Sequence, residues 1–155
     1  MDTKKIGNIG EVKTLSKFVE LGYSVYLPFG DNEKADLIAE FNGKLNKIQV
    51  KTSIKAEDGK MIFSLVSSTM HRKDGVKHIY TPDEIDYFAL YNIERDKLFL
   101  ISINEEGLPK KELTIRYIKP KTKNQYKTFL EEDYLFEKVL EKIDKNYMGI
   151  STGCY

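Results

Sequence analysis

The stretch Asp36-Leu37-Ile38-Ala39-Glu40-Phe41-Asn42-Gly43-Lys44-Leu45-Asn46-Lys47-Ile48-Gln49-Val50-Lys51 decides the fold. Two runs of strand-forming residues flank Asn42-Gly43, the dipeptide best suited to a two-residue hairpin turn. Such a turn sets Phe41 opposite Lys44, Glu40 opposite Leu45, Ile38 opposite Lys47 and Asp36 opposite Gln49. Side chains alternate between faces along a strand, so Lys51 shares a face with Gln49. Directly paired Cβ atoms lie roughly 4.5–5.5 Å apart and diagonal ones about 7–8 Å. One face therefore gathers a carboxylate, an amide and an ammonium. The other carries Leu37, Ala39, Phe41, Ile48 and Val50, which read as core.

A carboxylate and a neutral amide oxygen are hard ligands of the kind Mg²⁺ takes. That ion uses few protein carboxylates and completes its shell with waters and phosphate oxygens. The backbone carbonyl of Val50 is a further oxygen on the same strand. A lysine beside them holds a water or offsets charge building on a phosphoryl group. The same three side chains also suit an ordinary polar patch near solvent, and the hairpin alone does not choose between the two readings.

Upstream, Ile9, Val12, Leu15, Phe18 and Val19 recur at helical spacing, and Gly22 is a natural stop. On the helical wheel Glu11 falls between Leu15 and Phe18, inside the apolar arc. A carboxylate at that boundary needs a partner, a metal or a path to water; a place near a helix N-terminus also suits it on dipole grounds. Residues 23–27 alternate as a strand ended by Pro28. Residues 61–66, 86–92, 97–103 and 113–118 read as further strands, with a second hairpin around Glu94-Arg95-Asp96. Asp83, Glu84 and Asp86 follow Pro82 and read as turn or cap residues. Residues 129–143 carry Leu130, Tyr134, Leu135, Val139, Leu140 and Ile143 at helical spacing. Helix, strands, helix predicts one α/β domain over 1–155, a central mixed sheet flanked by an N-terminal and a C-terminal helix. The helix at 129–143 is a candidate subunit contact as well as a core element.

Of the 155 residues, 41% are hydrophobic and 32% charged, enough apolar material for one ordinary core and too much charge for a membrane protein. No apolar run is long enough to span a bilayer, and the N-terminus lacks the apolar stretch of a secretory signal. The single Cys154 excludes an internal disulfide and a cysteine-built zinc site. A cytoplasmic location is the expectation. The net charge is only +1, but it is unevenly spread. Residues 44–77 carry eight Lys/Arg against three Asp/Glu, and residues 109–127 seven against one. Such unevenness suits a polyanion as well as it suits solvated loops.

Gly7-Asn8-Ile9-Gly10-Glu11, Gly22-Tyr23, the strand ending at Pro28, Asp36-Leu37-Ile38 and Gln49-Val50-Lys51 together resemble the PD-(D/E)XK nuclease superfamily, whose core is restriction endonuclease-like. Residues 81–89, Thr-Pro-Asp-Glu-Ile-Asp-Tyr-Phe-Ala, and the strand from Leu98 to Ile103 resemble a narrower branch: the homing endonucleases of this type carried by group I introns, described from cyanobacteria. The resemblance covers about residues 6–118. It implies that Asp36 is the metal-binding acid, that Gln49 stands where Asp or Glu is usual, that Lys51 is the motif lysine and that Glu11 is the helix-borne acid. The metal set is then Asp36, Gln49, the Val50 carbonyl and Glu11, with Mg²⁺ as cofactor and Mn²⁺ as a substitute. Ala35 stands where the family's name has proline, and Gln49 removes one negative charge from the site.

The implied partner is double-stranded DNA. Thr52, Ser53 and Lys55 follow the motif and are candidate phosphate contacts. His71, Arg72, Lys73, Lys77 and His78 lie in a basic loop at about 67–81, expected to reach a groove. Arg116, Lys119, Lys121 and Lys123 form a second basic set. The expected activity is Mg²⁺-dependent, site-specific double-strand cleavage at a long pseudo-palindromic site by a homodimer or a dimer of dimers. A Holliday junction resolvase or restriction-type endonuclease is the alternative in the same class. A catalytically degenerate DNA-binding module is the alternative in another.

Overall fold

The computed structural model describes residues 1–30, 33–67, 75–123 and 125–152. Along the chain run α1 (Thr3–Glu20), β1 (Val25–Tyr26), β2 (Leu37–Phe41), β3 (Lys44–Ser53), β4 (Lys60–Ser64), β5 (Tyr87–Asn92), β6 (Lys97–Ser102), β7 (Glu112–Arg116), β8 (Phe129–Leu130), α2 (Glu131–Tyr134) and α3 (Phe136–Thr152). The first hairpin forms in the expected register, with Phe41 opposite Lys44 and Ile38 opposite Lys47. Asn42 and Gly43 take positive φ angles of 56° and 69°, as a type I′ turn requires. Asn46 locks the turn from inside: it is fully buried, and its Nδ2 donates to the carbonyls of Ala39, Phe41 and Lys44 at 3.0–3.3 Å.

Five strands form one mixed sheet in the order β1-β2-β3-β5-β6, antiparallel throughout except for the parallel pair β3–β5. The second hairpin turns at residues 93–96, with Asn92 opposite Lys97. The five-stranded sheet is the central mixed sheet that the sequence predicts, but the strands at Lys60–Ser64 and Glu112–Arg116 do not join it. A second, smaller sheet runs β4-β7-β8, antiparallel then parallel. The N-terminal and C-terminal helices flank the large sheet on the same face. Phe18 of α1 meets Phe136 of α3 at 4.6 Å between ring centroids, and both pack with Leu37, Ala39, Phe41, Ile48, Val50, Ala89 and Leu100. The other face of the large sheet, through Phe88, Leu90, Phe99 and Ile101, packs on Met61, Phe63, Leu113, Ile115 and Phe129 of the small one. Strands buried on both faces are continuously apolar, which is why residues 87–92 and 97–102 show little alternation.

Two helical expectations change. The helix expected at 129–143 is interrupted: a single turn, α2, spans Glu131–Tyr134, and the long helix α3 begins at Phe136. Phe129 and Leu130 pair with β7, Tyr134 fills the core of the small sheet, and Leu135 turns extended and bridges to Phe99. These apolar residues matched a helical period although three elements, β8, α2 and α3, share them. In α1 the buried residues are Gly10, Thr14 and Phe18, whereas Val12 and Val19 stay exposed at 62% and 59%. The small Gly10 and Thr14 let the helix close on the sheet while Phe18 anchors it in the core, so hydrophobicity alone did not choose the buried face. Among the described residues no helix is long and apolar enough to cross a membrane.

Candidate active site

Asp36 stands one residue before β2, where its N–H donates to the Ile48 carbonyl at 2.8 Å. Its Oδ2 accepts from Gln49 Nε2 at 2.7 Å and from the Val50 N–H at 2.8 Å. Gln49 Nε2 also lies 3.4 Å from its neighbour's carbonyl, that of Val50. The amide nitrogen thus faces the carboxylate, which leaves Oε1 as an uncharged oxygen beside it. Gln49 is buried, since β3 lies between β2 and β5 and its residue pairs with Phe88. Lys51, two residues on, donates from Nζ to the Val66 carbonyl at 2.8 Å and lies 5.1 Å from the centroid of the Tyr80 ring.

Burial raises the Asp36 carboxyl above its ordinary range, opposed by the Val50 N–H and the Lys51 charge. Burial lowers the Lys51 ammonium, opposed by Asp36. Glu11 is exposed as a residue, yet its carboxyl is raised, first by partial desolvation and then by the charge of Asp36. The two acids are therefore within electrostatic reach of each other, and the charge of Asp36 resists ionisation of Glu11. Burial, then Asp36 and Glu84, push the Tyr80 phenol up to about 12.

Gly10 sets the approach of Glu11. A Cβ on Gly10 would come 1.9 Å from Thr52 Oγ1 and 3.3 Å from Val50 Cγ1. The glycine lets the helix backbone rest against the far side of β3, so Glu11 reaches the rim and not the apolar arc the wheel assigned to it.

The other expected DNA contacts are placed unevenly. The Thr52 hydroxyl is buried against α1 with no hydrogen-bond partner, so it faces the helix and not a phosphate. Ser53 Oγ accepts from Asn92 Nδ2 at 2.8 Å. Lys55 is exposed, 3.7 Å from Glu57. Lys77 is exposed, whereas His78 Nε2 lies 2.7 and 2.8 Å from the two Glu84 oxygens. Glu84 also accepts from the Thr81 N–H and hydroxyl, as a turn residue after Pro82 should. His71, Arg72 and Lys73 lie outside the described residues. Arg116 Nε donates to the Ile118 carbonyl, and Lys119 lies 4.0 Å from Glu132. Lys121 and Lys123 are exposed. The sequence reading missed Gly10 as a spacing device, Asn46, Val66 and Tyr80; the last two come close to Lys51 only through the tertiary fold.

The structure thus brings together a carboxylate, the amide bonded to it and a half-buried lysine two positions on, with a second acid on the first helix within electrostatic reach. The family profile described as PD-(D/E)XK endonuclease matches residues 1–137. The chain belongs to the PD-(D/E)XK endonuclease family. Among solved structures, the bacterial homing endonuclease I-Ssp6803I is similar with a TM-score of 0.69 and 19% sequence identity, over 92% of this chain and 95% of that one. At that identity the likeness speaks for the fold. No curated protein matches the chain.

The family implies a divalent metal, and the donors suit one. Among the described residues no three His, Cys, Asp or Glu side chains cluster as a ligand set. The residues that the resemblance assigns to a metal are two carboxylates, Asp36 and Glu11, with the neutral oxygens of Gln49 and Val50. All are hard oxygen donors. Both acids are held above their ordinary values, so a cation would relieve a repulsion already present.

Proposed function

We propose that the chain is a Mg²⁺-dependent, site-specific endonuclease of double-stranded DNA, acting as a group I intron homing endonuclease. The observation that carries this reading is the bonded Asp36–Gln49 pair with Lys51 two residues on along β3. The full-length likeness to a bacterial homing endonuclease supports the narrower assignment.

Asp36, Glu11, Gln49 Oε1 and the Val50 carbonyl would hold the ion. When bound, Mg²⁺ supplies Lewis-acid neutralisation of charge on the phosphate. Lys51 has one of its three N–H groups taken by Val66, which leaves two for the attacking water and a phosphoryl oxygen. Water attacks phosphorus in line, the bond to the 3′ oxygen breaks, and a 5′-phosphate and a 3′-hydroxyl result. One site cuts one strand, so a double-strand break takes two copies. A twofold pair of chains would match a pseudo-palindromic target, and a dimer of dimers would match a longer one.

The test is cleavage of an intron-less allele of the host gene with Mg²⁺, against random linear duplex and a four-way junction. Site-specific double-strand cleavage is the expected result, with preference for the junction instead marking a resolvase. Asp36→Asn and Lys51→Met should each abolish cleavage and leave duplex affinity within about threefold. Wild-type cutting by both variants would refute the site. Binding without cleavage by the wild type, on every substrate with Mg²⁺ or Mn²⁺, would mark a degenerate DNA-binding module.

A further inference from the structure

Lys51 is held by residues from outside the hairpin. Its Nζ donates to the Val66 carbonyl and faces the Tyr80 ring. Val66 and Tyr80 stand on the two arms leading into and out of residues 67–79. An antiparallel bridge joins Val66 to Ile79. Ser67 N donates to the His78 carbonyl at 3.0 Å, and His78 N donates to Ser67 Oγ at 2.9 Å. The arms are therefore tied to each other beside Lys51.

The Tyr80 ring is fixed on two sides. It meets Phe88 edge-on at 5.8 Å, and Phe88 is a core residue of β5 in register with Gln49. It meets His78 edge-on at 5.5 Å, and the carboxylate of Glu84 pins that imidazole. An aromatic face carries partial negative charge and attracts an ammonium, more so out of water. A lysine has a flexible four-carbon stem and three rotatable donors, so it needs such a seat to keep one geometry. Asp36 acts on the ammonium through its charge, with no Lys51–Asp36 hydrogen bond or ion pair among the described residues, so the close contacts come from Val66 and Tyr80.

We propose that Tyr80 is a positioning residue for Lys51: its ring face and the Val66 carbonyl together seat the ammonium beside Asp36, with two N–H groups left for substrate. The proposal rests on the reading of Lys51 as the cation that meets water and phosphate. The ring carries the role, and the hydroxyl does not.

Two measurements test it. In protein carrying ¹³C-labelled lysine, the Lys51 ε-methylene signal, assigned by its loss in Lys51→Arg, should lie upfield of the other lysines through the ring current of Tyr80. Tyr80→Phe should keep that shift and Tyr80→Leu should abolish it. In single-turnover cleavage, Tyr80→Leu should lower the rate about tenfold or more. Its duplex affinity, measured with Ca²⁺ in place of Mg²⁺, should stay within about threefold, and Tyr80→Phe should restore the rate. An unshifted Lys51 signal in the wild type overturns the proposal whether or not the protein cuts DNA. Wild-type cleavage by Tyr80→Leu overturns it, and so does a loss in Tyr80→Phe equal to that in Tyr80→Leu. If Tyr80→Leu does not fold, the wild-type and Tyr80→Phe spectra decide. Failure of the underlying functional reading shows separately, as wild-type cleavage by Lys51→Met, and leaves the spectral result standing.

Discussion

Gln49 sets both the charge and the rest state of the site. Its amide bonds Asp36 directly, which quiets a carboxylate that burial already disfavours. Gln49→Glu would place a second carboxylate where the amide nitrogen now stands 2.7 Å from Asp36. The metal-free variant should melt at a lower temperature than the wild type, and Mg²⁺ should raise its Tm by more, as paired melts with EDTA or Mg²⁺ would show. The titrations give a second prediction. Asp36 and Glu11 have ordinary values of 3.8 and 4.5, and the fold raises both. Their contribution to stability is therefore fully present below those ordinary values and is lost as pH rises through the raised ones. Without metal, Asp36→Asn should gain on the wild type as pH rises through that window, in thermal melts at several pH values. Protons and metal compete for the same oxygens, so the acid limb of the cleavage profile should move to lower pH as Mg²⁺ concentration rises.

Among the elements, α1 comes closest to the motif strand's side chains where its backbone carries Gly10. Helix propensity alone favours Ala over Gly by about 1 kcal/mol. At Gly10 the contact with Thr52 reverses that preference, because strand side chains and helix backbone would both have to move. Gly10→Ala should destabilise the protein by about 1–3 kcal/mol and reduce cleavage through displacement of Glu11. Adding Thr52→Ala should recover much of both. Gly7→Ala, with nothing within 4 Å of the new methyl, is the control that should be neutral or stabilising. Denaturant melts and cleavage rates of the three variants check the prediction. The first hairpin was readable at this scale because Asn-Gly sets the turn and the turn sets the pairing. The helix face was not, because the wheel ranks positions by hydrophobicity while the sheet selected Gly10 and Thr14 for size.

Across the whole molecule, the large sheet has a core on each face, with two helices on one side and the small sheet on the other. Arg95 ties these layers at the second hairpin. Its guanidinium bonds both oxygens of Glu131 at 3.0 Å and stacks 3.9 Å from the centroid of the Tyr117 ring. Arg95→Ala should cost about 1–3 kcal/mol of stability, read from denaturant unfolding, and should leave the cleavage rate of the folded protein unchanged. The Lys51 seat belongs to this scale too. Val66, Tyr80 and Lys51 are far apart in the chain, and packing of the small sheet's arm against the large sheet brings them together.

The sequence by itself determined the hairpin register and the shared face of Asp36, Gln49 and Lys51, because a type I′ turn leaves one pairing and strands have a period of two. It determined the existence and order of most strands, because apolar runs between turn residues are local signals. Only the tertiary structure decided that both helices lie on one face, that a second sheet covers the other, that residues 129–135 serve strand and core before the last helix begins, and which groups surround Lys51. Those outcomes depend on how differently sized side chains fill the space between layers, and local periodicity carries no record of that.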